Sequence, residues 1–373
     1  MKPSLAVSIA DSWLDARRSI AEIVETLPVE PLPQKLLAHF TVINYRTEIA
    51  PLFDHFKRPW GAVTERQRSE KGVLYNLEFE GVDDKRRSMP MRLWLLPEAT
   101  VAVLITVCSN RDWRQGVKRL LDALYPKVYS PFLSQVALRT LFDGMGSALK
   151  PHLSMRLTRV SSVRRLLQTR SRKRFESEVT WTDIDVKSAF EAALEEKSFF
   201  KNLAFEVCEP DERADVVRSE GTAGVASRDA HFAVNKNVRW LYRSAVAPLL
   251  DEARDRSVFL RGRGRADSPR PDGVRAIAAR FTGNFRVTTE ELPQLTAILR
   301  RYPDASVSIL HANPYLDASV VDMRDGSSIE LLLASENQML LLPGLRATES
   351  ALNRICRFLY EQVGEAHFAD ARS

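Results

Sequence analysis

Val73, Tyr75, Leu77 and Phe79 alternate with polar neighbours, which is the two-residue period of a half-buried strand. Around this run the pattern predicts a strand at 40–45, a helix at 46–57, strands at 72–80, 89–96 and 100–107, and a helix at 111–124. In that last helix Trp113, Val117, Leu120, Leu121 and Leu124 form one apolar stripe, with Asn110 able to cap its start. Pro126 and Pro131 follow it as stops.

The C-terminal part repeats the plan. A helix over 289–301 precedes strands near 306–311, 316–323, 327–334 and 338–342, and a helix closes the chain over about 347–363. Asp325-Gly326 stands between two apolar-rich runs and is the strongest hairpin signal in the chain. Segments 91–125 and 328–360 share the order strand, turn, strand, helix, although their residues are too different to define a repeat.

At the start of the chain, Trp13, Ile20, Ile23, Val24 and Leu27 fall on one face of an amphipathic helix over 4–27, which ends before Pro28, Pro31 and Pro33. The middle is less regular. It reads as a helix over 185–200, a strand over 203–208, a hairpin or mobile loop over 209–236 and a helix over 237–253. A basic linker holding Arg261-Gly262-Arg263-Gly264-Arg265 follows. The expected fold is α+β: an N-terminal helix followed by about three modules of antiparallel β-meander packed with helices. The boundaries fall at 1–33 (helix and Pro-rich linker), 34–150, 151–262 (the module with the basic run) and 263–373.

Composition narrows the class. With 45% hydrophobic and 27% charged residues over 373 positions, the chain buries a sizeable core without disulfides or a structural metal. Three cysteines, Cys108, Cys208 and Cys356, are far apart and odd in number, which disfavours a disulfide framework or a four-cysteine zinc site. Residues 1–27 include Asp11, Asp15, Glu22 and Glu25 where a signal peptide needs an apolar run. The apolar stretches 93–107 and 329–342 are broken by Pro97-Glu98 and Glu336-Asn337, too short to span a membrane. A cytoplasmic chain with no membrane role is expected.

Charge changes the picture more. The formal net charge is +6, yet no acidic residue occurs between Asp143 and Glu176. That window holds Lys150, Arg156, Arg159, Arg164, Arg165, Arg170, Arg172, Lys173 and Arg174. A second run from Arg261 to Arg286 includes Arg261, Arg263 and Arg265. Clustered like charges repel, and a polyanion relieves that repulsion. Trp181 and Trp240 lie nearby as rings on which unpaired bases could stack. The leading expectation is a non-enzymatic nucleic-acid-binding protein with largely sequence-independent phosphate contacts. The alternatives are a protein-interaction (scaffold) subunit of a bacterial multiprotein assembly, and a Mg-dependent nuclease. Pairing of these arginines with acids such as Glu191, Glu195 and Glu196 is the competing structural account.

Catalytic patterns are sparse. HExxH, GxSxG and GxGxxG are missing, and Gly144-Met145-Gly146-Ser147 lacks the spacing of a phosphate loop. Asp185 and Lys187 form an Asp-x-Lys, but the segment leads into a helix that Asp183 or Asp185 would cap. The histidines, His39, His55, His152, His231, His311 and His367, show no ligand spacing. No cofactor is implied, and enzymatic activity is not expected.

Overall fold

The computed structural model describes residues 13–26, 32–33, 35–46, 48–95, 100–151, 153–165, 167, 178–182, 184–209, 218–226, 228–263, 276–281 and 286–371. The chain divides into two compact units. The first comprises 1–161, 180–190 and 200–254, and the second 162–179, 191–199 and 255–373. The three sequential modules expected from the pattern are therefore replaced by two units that each draw on separated stretches of chain.

The expected N-terminal helix over 4–27 is also corrected. Among the described residues, Trp13 is helical, Leu14–Ser19 are not, and the helix resumes as the short α1 (Ile20–Thr26). The cause is Arg92. Its buried guanidinium takes the carbonyls of Asp15 and Arg18 (the latter at 2.7 Å) and that of Lys71 at 3.3 Å. The Asp15 carbonyl accepts Arg18 N–H in a tight turn, at 3.3 Å, where a helix would bring it an i+4 N–H. A capping box then restarts the helix: Glu22 N–H donates to Ser19 Oγ at 3.2 Å, and Ser19 N–H donates to the Glu22 carboxylate at 2.5 Å. Burial lowers the Arg92 pKa to about 10, so the guanidinium stays charged at neutral pH.

The first unit is organised around β1 (Leu37–Tyr45). Next come α2 (Ile49–Asp54), β2 (Lys57–Arg58), β3 (Gly61–Ser69), β4 (Gly72–Glu80), β5 (Arg86–Leu95) and β6 (Val101–Cys108). Helix α3 occupies 110–124, with a π-turn at Arg114–Lys118. The chain continues through β7 (Val128–Tyr129), α4 (Gln135–Ser147), β8 (Ser154–Arg164), β9 (Glu178–Trp181), β10 (Ile184–Asp185) and α5 (Val186–Glu195). Then follow β11 (Ser198–Glu209), β12 (Arg218–Ala226), β13 (His231–Val234) and α6 at 238–261, with a second π-turn at Tyr242–Val246.

Among the described residues these strands form one thirteen-stranded sheet in the order β10-β8-β11-β12-β13-β1-β6-β5-β4-β3-β2, with β7 beside β1 and β9 beside β8. β1 is antiparallel to both β6 and β13. It is buried on both faces, because helices cover both. Thr41 bonds Trp113 of α3, whereas Phe40 packs on Tyr242 and Asn44 bonds the Ala253 carbonyl, both in α6. The alternation of side chains along β1 sends odd and even residues to different helices.

The second unit holds the C-terminal elements. These are β14 (Ile277–Phe281), a 3-10 turn (Thr289–Glu291), α7 (Leu292–Leu299), β15 (Ala305–Ala312), β16 (Leu316–Asp322), β17 (Ser328–Ser335), β18 (Gln338–Pro343), α8 (Glu349–Gln362) and β19 (Ala366–Asp370). Its described six-stranded sheet has the order β15-β16-β17-β18-β14-β19. The β16–β17 hairpin turns at Asp325-Gly326, where Gly326 takes φ +75, a conformation that favours glycine. Leu316, Ala318 and Val320 alternate into the core with Ile329, Leu331, Met339 and Leu341. Arg354 of α8 is buried beside Asp322, 3.0 Å away, and donates to the Tyr302 hydroxyl at 2.9 Å. No described helix is long and apolar enough to cross a membrane.

Candidate functional site

Most of the described basic-run arginines are engaged within the fold. Arg156 reaches Glu206 through two hydrogen bonds, at 2.6 and 3.1 Å. Arg164 lies 3.8 Å from Glu196, one of the acids expected to compete for it. Arg165 is buried. It donates to the carbonyls of Tyr360 and Ser198, each at 3.0 Å, pairs with Glu365 at 2.9 Å and lies over the Tyr360 ring. Arg261 ends α6 and approaches Glu349 at 3.5 Å. Arg263 is tucked over Phe259 and paired with Asp370 at 2.8 Å. Arg159, exposed on β8, and Arg280, exposed on β14, have no ion pair among the described residues.

Arg165 and Arg263 are thus tied down by internal acceptors and have no face for a phosphate. The 254–263 stretch expected as linker is helical up to Arg261, and this is what carries Arg261 to Glu349. Arg170, Arg172, Lys173, Arg174 and Arg265 lie outside the described residues, as does the side chain of Trp181. Trp240 in α6 meets Phe205 edge-on, with centroids 6.5 Å apart. One side of that ring is therefore spent on the core.

The Asp185–Lys187 pattern resolves as a helix start. Ser188 N–H donates to Asp185 Oδ1 at 2.9 Å, and hydrogen bonds to Ser188 hold the carboxyl below its usual range. Among the described residues no group of three His, Cys, Asp or Glu side chains could hold a metal ion.

Sequence reasoning missed two arrangements. The first is a buried imidazole pair. His39 Nε2 donates to the Cys108 carbonyl at 3.1 Å, so His39 Nδ1 must accept from His231 Nε2, 2.9 Å away. Trp113 lies flat on His231, with centroids 3.5 Å apart, and its indole N–H donates to Thr41 Oγ1 at 3.3 Å. Burial lowers His39 to about 4 and holds His231 well below its usual value, so both rings are neutral at pH 7. Lys118 and Asp229 pair nearby at 2.8 Å. This network locks β13, β1 and α3 together. It shows no nucleophile or cation site. Its members are 192 residues apart, so no local motif could announce it.

The second arrangement is the outer hairpin of the six-stranded sheet. Leu310 (63% exposed) and Tyr315 lie at the turn end of the β15–β16 hairpin, and Val321 and Met323 (68% exposed) lie at its other end, beyond Ser308 and Ser319. Other exposed large hydrophobics, such as Val82, Val136 and Leu194, are scattered singly, which is ordinary. Four such residues on one hairpin is a higher density than elsewhere among the described residues. Strand periodicity revealed β15 and β16, but only the strand order places β15 at the edge. Searches against protein-family models, curated proteins and solved structures found no match.

Proposed function

We propose that this protein is a cytoplasmic, non-enzymatic interaction subunit of a multiprotein assembly, which engages a protein partner through the β15–β16 edge. The observation that carries the reading is that Leu310, Tyr315, Val321 and Met323 are all exposed along one hairpin, β15–β16. Exposed apolar side chains along one hairpin cost solubility unless something covers them. Cys108 and Cys356 support a reducing compartment, since both are buried and unbonded. The test is affinity purification of the full chain at low and high salt, beside the double variant Leu310→Glu with Met323→Glu. A stoichiometric partner held by the parent at high salt and lost from the variant is expected. A parent chain that purifies alone overturns the reading.

Nucleic-acid contact is the second reading. Exposed, unpaired Arg159 and the net charge of +6 favour it. The five internal pairings above weigh against ranking it first. Fluorescence anisotropy with labelled single-stranded DNA, duplex DNA and RNA, between about 50 and 200 mM salt, tests it. Affinity that falls steeply with salt, and less steeply in Arg159→Ala, supports it. No binding at the lowest salt removes it.

A further inference from the structure

The sheet edges of this molecule are not alike. At the margins of the larger sheet, β2 and β10 have two residues each, and β2 is Lys57–Arg58. In the smaller sheet, β19 has five residues and ends on Asp370, whereas β15 has eight and carries no Asp, Glu, Lys or Arg. Natural edges are blunted by shortness, charge, proline or bulges. Along β15 only a register shift between Ile309 and His311 serves that purpose, which leaves the first half regular.

The pairing decides which backbone groups are free. Met323 N–H donates to the Asp304 carbonyl at 2.8 Å. With the register Ser306 opposite Val321 and Ser308 opposite Ser319, those residues exchange hydrogen bonds with β16. Ala305 and Val307 therefore turn their N–H and C=O outward, along the open edge. On one face Val307 and Ile309 are half-buried, opposite Val320 and Ala318 of the core. On the other face Ser306 and Ser308 are exposed. An incoming strand would thus find an apolar rail on one side, and on the other Ser306 and Ser308 with the exposed Val321 and Leu310 beside them.

Charge selects the occupant. Arg300 and Arg301, just before β15, are both exposed and have no ion pair among the described residues. Asp304, the nearest acid in the chain, is 3.7 Å from Arg354. We infer that β15 accepts an extended segment of a partner protein as an added strand, alternating apolar and polar residues, with acidic side chains at the end that lies beside Arg300 and Arg301. This rests on the interaction reading above and specifies its mode. Main-chain hydrogen bonds supply affinity and alternate side chains supply selectivity.

The test uses the full chain and a phage-displayed library of random peptides about twelve residues long. Enriched peptides are expected to alternate in polarity and to carry acids at one end. Val307→Pro removes an outward N–H without touching the bonds to β16, and proline is tolerated at such edge positions. A synthetic winner should bind Val307→Pro roughly tenfold or more weakly, with the variant's urea midpoint unchanged. Arg300→Glu with Arg301→Glu should reject acidic winners. Winners that bind Val307→Pro as well as the parent, but not Met323→Glu, overturn strand addition and keep the interaction reading. No enrichment, or winners indifferent to every variant, overturns both. A concentration-dependent dimer in sedimentation, abolished by Val307→Pro, assigns the edge to a second copy and overturns the peptide assignment.

Discussion

Helices α3 and α6 flank the same strand from opposite sides, and their sequences run in step. Trp113, Arg114, Val117, Leu120, Leu121 and Asp122 match Tyr242, Arg243, Val246, Leu249, Leu250 and Asp251 at constant spacing. Each helix follows a short strand that pairs with β1, and each contains a π-turn near its first full turn. Yet they cover different chemistry. Under α3, β1 presents His39 and Thr41, and the gap is filled by Trp113 and the second imidazole. Under α6 it presents Phe40 to Tyr242. Where Tyr242's neighbour Ala245 carries a methyl group, α3 has Gly116. A Cβ there would lie 3.0 Å from Met89 Cε and Phe79 Cε1. The same helical frame therefore covers a hydrogen-bonded imidazole core on one face and a mostly apolar one on the other, where Asn44 donates to the Ala253 carbonyl.

Changes at Trp113 should break this comparison most strongly. Trp113→Ala removes the ring that covers His231 and the donor to Thr41, and should cost about 3–5 kcal/mol in urea unfolding. A loss below about 1 kcal/mol would mean that the imidazole pair holds its place without the indole.

Acid should separate the faces next. His39 titrates near 6.5 when unfolded and near 4 when folded. The unfolded chain therefore binds the proton first, and stability falls as pH drops from about 6.5 toward 4. At about 1.4 kcal/mol per pKa unit the His39 interval is on the order of 3 kcal/mol. Asp15, whose hydrogen bonds to Arg17 lower it to about 2, loses its contribution at lower pH, below its ordinary 3.8. Urea midpoints between pH 7 and 4.5 should fall in the parent and fall less steeply in His39→Phe, where His231 remains buried. An equal slope in both chains would place the acid sensitivity elsewhere.

The smallest effect belongs to the other face. Tyr242→Phe keeps the ring on Phe40 and should shift unfolding by no more than about 0.5 kcal/mol. A larger cost would reveal a polar demand under α6 as well.

Legibility in the sequence follows locality. The C-terminal meander was readable because its strands alternate cleanly and its turn is Asp-Gly. β3 escaped because Gly61–Ser69 buries only Val63 fully. β8 escaped because its arginines read as a charge run rather than as one rail of a strand. Arg92 undid the N-terminal helix from 77 residues away, a distance that helical periodicity cannot see. The arginine count was plain, but not the acids that answer it: Glu206, Glu365 and Asp370 lie 50, 200 and 107 residues from their partners. The exposed edge depends on strand order, which no single strand encodes.

Arg165 has a further consequence for how the chain is made. Its acceptors are Ser198, Tyr360 and Glu365, so during synthesis the guanidinium is finished long before the groups that neutralise it leave the ribosome. Residues 162–179 and 191–199 belong with 255–373, so a cut after 254 would divide the second unit while leaving the first unit's residues on one product. Synthesis from the N-terminus must therefore hold the second unit open until nearly the last residue emerges, with the slow, long-range closure that high contact order imposes.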